Sequence, residues 1–244
     1  MYMYKTHIWN LLALHRNKII LIIVLLMANS AFSQLTVRDY ENRFSRKPFH
    51  FGISLAYNTS YYKIQYNPAF LYSDSILSAD SQNGPGFNLG IISNLHLGDH
   101  FDLRAIPSLS FAEKSILYTL ADGKEETQLI ESIYFNFPVA FKFKSNAYKE
   151  MKAFAIVGAT YSYDLSSNAK ARNAEDILKV GSHDVSLDYG AGIEIYFPYF
   201  IFSPQIKISH GLINLNTPDE NLIYSRMIDK LFARTILFTI HLEG

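Results

Sequence analysis

The stretch Glu131-Ser132-Ile133-Tyr134-Phe135-Asn136-Phe137-Pro138-Val139-Ala140-Phe141-Lys142-Phe143 decides how this chain is read. Ile133, Phe135, Phe137, Val139, Phe141 and Phe143 fall on one register, with Asn136, Ala140 and Lys142 on the other. Successive side chains of a strand point to opposite faces, so this is a strand with one large apolar face and one face that carries a charge.

Seven further stretches repeat the pattern: 48–57, 86–97, 101–109, 152–163, 184–197, 200–212 and 234–242. The first sets Phe49, Phe51, Ile53, Leu55 and Tyr57 against His50, Gly52, Ser54 and Ala56. The sixth in chain order sets Val185, Leu187, Tyr189, Ala191, Ile193, Ile195 and Phe197 against Asp184, Asp188, Gly190, Gly192 and Glu194. Segments of about ten alternating residues separated by turns are the signature of a transmembrane β-barrel. Closure pairs every backbone group, which lets such a sheet exist in lipid. Pro107 donates no ladder bond, so the third strand is expected to carry a bulge or strained pairing there. The phase of 152–163 is ambiguous, because Phe154 and Ile156 are apolar like their neighbours.

The connections alternate in length. Those at 98–100, 144–151 and 198–199 are short, and those at 58–85, 112–129, 165–182 and 213–232 are long. Short periplasmic turns and long outer loops characterise outer-membrane barrels. The expected fold is therefore all-β: an eight-stranded antiparallel transmembrane β-barrel with short periplasmic turns, long extracellular loops and both termini in the periplasm. A soluble barrel of the lipocalin type would turn its apolar register inward. Here the opposite register carries Arg104, Lys142, Asp188, Glu194 and Lys207, which suits a polar lumen and favours the membrane form.

The segment before the barrel supplies an address. Lys5, Arg16 and Lys18 precede the apolar run Ile19 to Met27, and Ala31-Phe32-Ser33 is a small-x-small site ahead of Gln34. This order fits a cleaved secretory signal over 1–33, the alternative being a retained anchor, which needs roughly 17 to 25 apolar residues. Residues 34–47 read as a periplasmic lead-in and 48–244 as the barrel. The chain has 244 residues and Cys 0, so disulfides and thiolate chemistry are excluded. Lys+Arg and Asp+Glu are 22 each, so no bulk charge attracts nucleic acid. Aromatics are 15%, with 17 Tyr and 18 Phe, as girdles at a membrane interface require.

A barrel of eight strands is just wide enough for side chains to fill it. The expected filling is a structural network of Arg104, Lys142, Asp188, Glu194 and Lys207, joined by Asp102, Asn136 and His241. Opposite charges in a narrow lumen satisfy one another and stiffen the wall. A gated proton or ion path through the same residues is the functional alternative. Thr217-Pro218-Asp219-Glu220 reads as a helix start, with Leu222, Ile223, Met227, Ile228 and Leu231 near helical spacing. Such a helix over 217–231 would fold over the barrel mouth or dock a partner. Ser167 to Lys179 carries a weaker helical signal.

No catalytic set emerges. His50, His96, His100, His183, His210 and His241 are dispersed, and His183-Asp184 are neighbours on a strand and so point to opposite faces. His96 and His100 flank a turn without a third metal ligand. No catalytic residue, cofactor, metal or small-molecule substrate is expected, and outer-membrane lipid is the expected surrounding.

Specific segments add a resemblance. Pro48-Phe49-His50-Phe51-Gly52-Ile53, Gly86-Phe87-Asn88-Leu89-Gly90-Ile91, the run Leu97 to Pro107 (LGDHFDLRAIP) and Gly190 to Phe200 (GAGIEIYFPYF) resemble the PorT/SprT family of Bacteroidetes outer-membrane barrels. Glu131-Ser132 and Ser203-Pro204-Gln205-Ile206-Lys207 are similar too. The resemblance implies a non-enzymatic accessory or assembly component of the type IX secretion system, with other components of that system as partners and a part in gliding-related export. It supplies no catalytic residues. The competing functions are a structural or adhesive barrel acting through its loops, and a membrane-embedded lipid hydrolase, for which no convincing Ser-His pair is present.

Overall fold

The computed structural model describes residues 44, 47–67, 76–120, 123–166, 180–217 and 228–244. The expected signal over 1–33 and most of the lead-in lie outside the described residues. Ten strand segments form one antiparallel sheet: β1 (Phe49–Tyr66), β2 (Ile76–Gln82), β3 (Gly84–His96), β4 (Phe101–Ala105), β5 (Ser108–Leu120), β6 (Glu125–Lys144), β7 (Met151–Asp164), β8 (His183–Tyr196), β9 (Ile201–Gly211) and β10 (Ile228–Glu243). Sequential neighbours pair from β6 to β10, β10 pairs with β1, and β1 pairs with β3. Both β4 and β5 bridge β3 to β6, which closes the ring.

The ring has eight staves, because two staves are each made of two segments. Only Asn83 separates β2 from β3. Ile106 and Pro107 separate β4 from β5, at the position where proline was expected to disturb the ladder. Register with β6 is the same on both sides of that gap, with Ala105 opposite Val139 and Ser108 opposite Asn136. The gap is tied across by Ile106 N–H donating to the Pro138 carbonyl at 3.3 Å and Ile91 N–H donating to the Pro107 carbonyl at 3.0 Å.

The wall has the alternation the sequence shows. On β6, Phe141 is 57% exposed and its neighbour Lys142 is 0% exposed. The phase of β7 resolves with Ala153, Ala155, Val157, Tyr161 and Tyr163 outward and Phe154 and Ile156 inward. The connections 97–100, 145–150 and 197–200 are short and lie at the end that carries both ends of the ring, Phe49 and Glu243.

At the opposite end the structure corrects two expected loops. Most of 58–85 and 112–129 is strand: β1 runs on to Tyr66, β2 begins at Ile76, and β5 and β6 form a hairpin joined by 121–124. The physical reason is an inversion of the pattern. Past the apolar belt the outer face meets water, so the strands turn polar side chains outward and apolar ones inward. On β1, Lys63 and Gln65 are exposed while Tyr62 is buried; on β5, Ile116 and Tyr118 are buried. The buried set Tyr62, Ala79, Ile116, Tyr118, Val180, Leu215, Ile228 and Leu231 forms an apolar core inside this extension.

The expected helix over 217–231 is corrected in part. Residues 218–227 lie outside the described residues, but Ile228 to Leu231 are the start of β10, paired with Tyr66 and Ile64 of β1. Their apolar side chains serve the core of the extension rather than a helix face. The weaker helical signal over 167–179 lies outside the described residues.

Candidate functional site

The interior of the ring is a charged core in layers. Next to the turn end, Phe44 of the lead-in is buried against Tyr196 of β8 and Ile201 of β9, with ring centroids of Phe44 and Tyr196 6.3 Å apart. Lys47 sits over the Phe44 ring at 5.7 Å.

Behind this plug lies the first ionic layer. Arg104 of β4 places Nη2 2.7 Å and 2.9 Å from the two carboxylate oxygens of Glu243 on β10. The same nitrogen is 3.9 Å from Glu194 of β8. Lys142 of β6 is ion-paired to Glu194, whose second oxygen accepts from the Tyr196 hydroxyl at 2.6 Å. Arg104 Nε donates to Asn94 at 3.0 Å, and Asn94 donates to Asp102 at 3.0 Å. Asp102 takes Lys144 Nζ at 2.7 Å and His96 at 2.7 Å; His96 touches His50 at 3.2 Å, and His50 lies 2.6 Å from Glu243. Three cations, Arg104, Lys142 and Lys144, thus meet three carboxylates, Asp102, Glu194 and Glu243, all buried. Opposite charge and extensive hydrogen bonding are what make such burial tolerable, with Arg104 Nη1 left as a buried donor without a partner.

An aromatic ring completes this layer. Phe154 faces inward with Lys142 Nζ 4.4 Å and the Arg104 guanidinium carbon 5.7 Å from its centroid. Desolvated cations gain from an aromatic face. Gly192 on the next strand makes room: a Cβ there would come 2.5 Å from the Phe154 ring.

The second ionic layer is nearer the middle. Lys207 Nζ donates to Asp188 Oδ2 at 2.8 Å, Thr160 to the same oxygen at 2.5 Å, and Ser209 and Ser186 to Oδ1 at 2.7 Å and 3.2 Å. Beside it lies a cavity of about 110 Å³, lined by Arg104, Asn136, Lys207, Gln205 and His241 among others. That space has room for a few water molecules. His241 is buried and bonds Gln205 at 3.3 Å. Above it, Lys114 donates to the Tyr134 hydroxyl at 3.0 Å and lies 4.7 Å from the Tyr62 ring, where the apolar core of the extension begins.

The sequence-derived lumen residues therefore fall into two groups. Arg104, Lys142 and Glu194 share one cluster, and Asp188 with Lys207 forms another. Sequence reasoning missed the centre of the first cluster, Glu243, along with Lys144, His50 and His96. Strand parity held the signal: Glu243 shares the inward register of Thr239 and His241, but the predicted strand stopped at Leu242. Lys144 falls in the expected connection 144–151 but is the last residue of β6.

Neither histidine pairing weighed from the sequence makes a reactive site. His183 is exposed and 2.7 Å from the Tyr161 hydroxyl, while Asp184 is buried on the inner face. His96 belongs to the ionic layer, and His100 bonds the Lys144 carbonyl at 3.1 Å. Among the described residues no three His, Asp or Glu side chains gather as a metal-ligand set. What the interior can do is fill and stiffen the bore: plug, ionic layer, second ionic layer and apolar cap succeed one another along it.

No curated protein sequence matches the chain. Among solved structures, the attachment invasion locus protein Ail of Yersinia pestis, crystallised with the heparin analogue sucrose octasulfate, is 14% identical over 81% of this chain and 100% of that one, with a TM-score of 0.38. The outer membrane protein OprG of Pseudomonas aeruginosa is 10% identical over 79% of this chain and 94% of that one, with a TM-score of 0.42. Residues 32–216 match the family described as outer membrane protein beta-barrel domain. That match spans more than half of the chain, and the chain belongs to this family of outer membrane β-barrel proteins.

Proposed function

We propose that this protein is a non-enzymatic, sealed outer-membrane barrel that serves type IX secretion as an accessory or assembly component, with both termini and the short turns in the periplasm. The secretion role rests on the PorT/SprT resemblance of the strand and turn segments. The observation that shapes it is the filled bore. With Phe44, the Arg104–Glu243–Glu194–Lys142 layer and the Tyr62–Ile116–Leu231 core in succession, no cargo passes through the ring. Work in export is then done by surfaces: the strand extension and loops on one side, the turns and lead-in on the other.

The test is comparative proteomics of medium and periplasm from a clean deletion strain. Proteins bearing type IX C-terminal signals should accumulate in the periplasm and return to the medium on complementation. Normal export in the deletion strain would refute the role.

An adhesive barrel is the second reading, favoured by the β5–β6 hairpin, whose exposed Glu125, Glu126 and Glu131 stand at and beyond the belt. Shortening that hairpin at 121–124 should abolish surface binding without touching export if this reading holds. Loss of export in the same variant would count for the secretion role.

A further inference from the structure

The outward face of β1, β10 and β9 changes character within one step. Ile236 lies opposite Thr59 and Ile208, and Phe238 opposite Tyr57 and Ile206; these belong to the apolar belt. The next outward position towards the loop end is Arg234, opposite Tyr61 on one side and His210 on the other. Beyond it stand Lys63, opposite Phe232, and Lys230, opposite Gln65. Lys63 and Lys230 are exposed and join no ion pair among the described residues.

Cations and aromatic rings therefore converge where the belt ends. Neighbouring strands lie about 4.8 Å apart, so the row from Tyr61 across Arg234 to His210 spans roughly 10 Å. Arg234 and Lys63 are both close enough to act electrostatically on His210. The His210 ring stacks on Tyr189 at 5.4 Å and 14°, with the hydroxyl 2.9 Å from Nε2. Arg234 makes one long bond, 3.4 Å to the Gly211 carbonyl, which leaves its other donors available. Asp184 faces inward on the other side of the wall at Gly211, and on β10 the exposed Asp229 beside Lys230 is outnumbered by Arg234, Lys63 and Lys230, so the patch keeps a net positive charge.

We propose that Arg234, Lys63, Lys230 and His210, flanked by Tyr61 and Tyr189, form a binding site for the phosphate of an anionic lipid headgroup. The occupant is a lipid because the site is continuous with the belt: acyl chains lying on Phe238, Ile206 and Tyr57 bring the headgroup to this level. Tyrosine rings suit such an interface, apolar in the body and polar at the tip. The positive row supplies charge complementarity, and Arg matches phosphate oxygens with paired donors. This inference rests on the outer-membrane family and not on the secretion role, so either can fail alone.

The test uses the purified full barrel in neutral detergent, mixed with dioleoyl phosphatidic acid, with retained lipid measured by native mass spectrometry. Phosphatidic acid should be retained and dioleoyl phosphatidylcholine should not. The K63Q/K230Q/R234Q variant should lose affinity by roughly a hundredfold, at about fivefold per cation near an anionic headgroup. If loss of Arg234 prevents folding, K63Q/K230Q alone should lose about twenty-five-fold on the same scale. Lys149→Gln at the turn end should change nothing. Retention unaffected by removal of the cations, or lowered equally by Lys149→Gln, would overturn the site. Displacement of the lipid by an equal concentration of inorganic phosphate would overturn the lipid assignment in favour of a simple anion site.

Discussion

Glu243 shows how much one residue near the chain end carries. Its carboxylate binds Arg104 through both oxygens and His50 through one. Replacing it by Gln leaves the buried guanidinium with only the more distant Glu194 carboxylate, at 3.9 Å, as counter-charge. Breaking a buried pair from one side costs about 3–5 kcal/mol, whereas replacing both partners by apolar groups is often close to neutral. Glu243→Gln should therefore lower folding stability by about that much, and Arg104→Met with Glu243→Leu should recover most of it. Denaturant-dependent folding in micelles checks both, and a single-variant cost under about 1 kcal/mol would contradict the role given to this pair. Gly192→Ala belongs to the same scale. A methyl group there meets the Phe154 ring at 2.5 Å and should cost about 1–3 kcal/mol of overpacking, read from the same folding curves. The inward charges were legible in the sequence because strand parity assigns them. Which cation meets which carboxylate was not, since it depends on cross-ring register. Glu243 was lost because the strand was ended one residue early.

At the scale of elements, the transmembrane staves were legible and their extensions were not. Phe49 to Tyr57 and Ile133 to Phe143 announce a lipid-facing strand because large apolar residues recur at every second position. The same β1 then reverses: Tyr62 points inward and Lys63 outward, as in a water-soluble sheet. A reading tuned to one polarity takes such a segment for a loop. Leu222 to Leu231 misled in another way, because a short apolar pattern does not by itself separate helix from strand. Ile228 and Leu231 belong to β10. If the extension is held by its own apolar core, Ile116→Asp should loosen it while sparing the belt. Limited proteolysis should then cut within the loop-end half of the purified variant, with the lipid-embedded part still folded by heat-dependent gel mobility. A variant as protease-resistant as the parent would show that Ile116 does not hold the extension together.

For the whole molecule, the outer belt and the inner core solve opposite solvent problems. Lipid outside demands a continuous apolar surface and complete backbone pairing. The narrow bore demands that its polar groups satisfy each other. Redundancy follows from the layering. Phe44→Ala removes the plug at the turn end, yet the Arg104–Glu243–Glu194–Lys142 layer stands behind it, so this variant should remain non-conducting in planar bilayers. Steady conductance on loss of Phe44 alone would mean that the ionic layer does not block ions.

The sealed bore is the central claim, because it moves function from the lumen to the surfaces. Single-channel recording of the purified full barrel in a planar lipid bilayer tests it most directly. The structure predicts no stepwise conductance at moderate voltage and neutral pH. Stable, ohmic steps of uniform size would contradict it and return the lumen to consideration as a path.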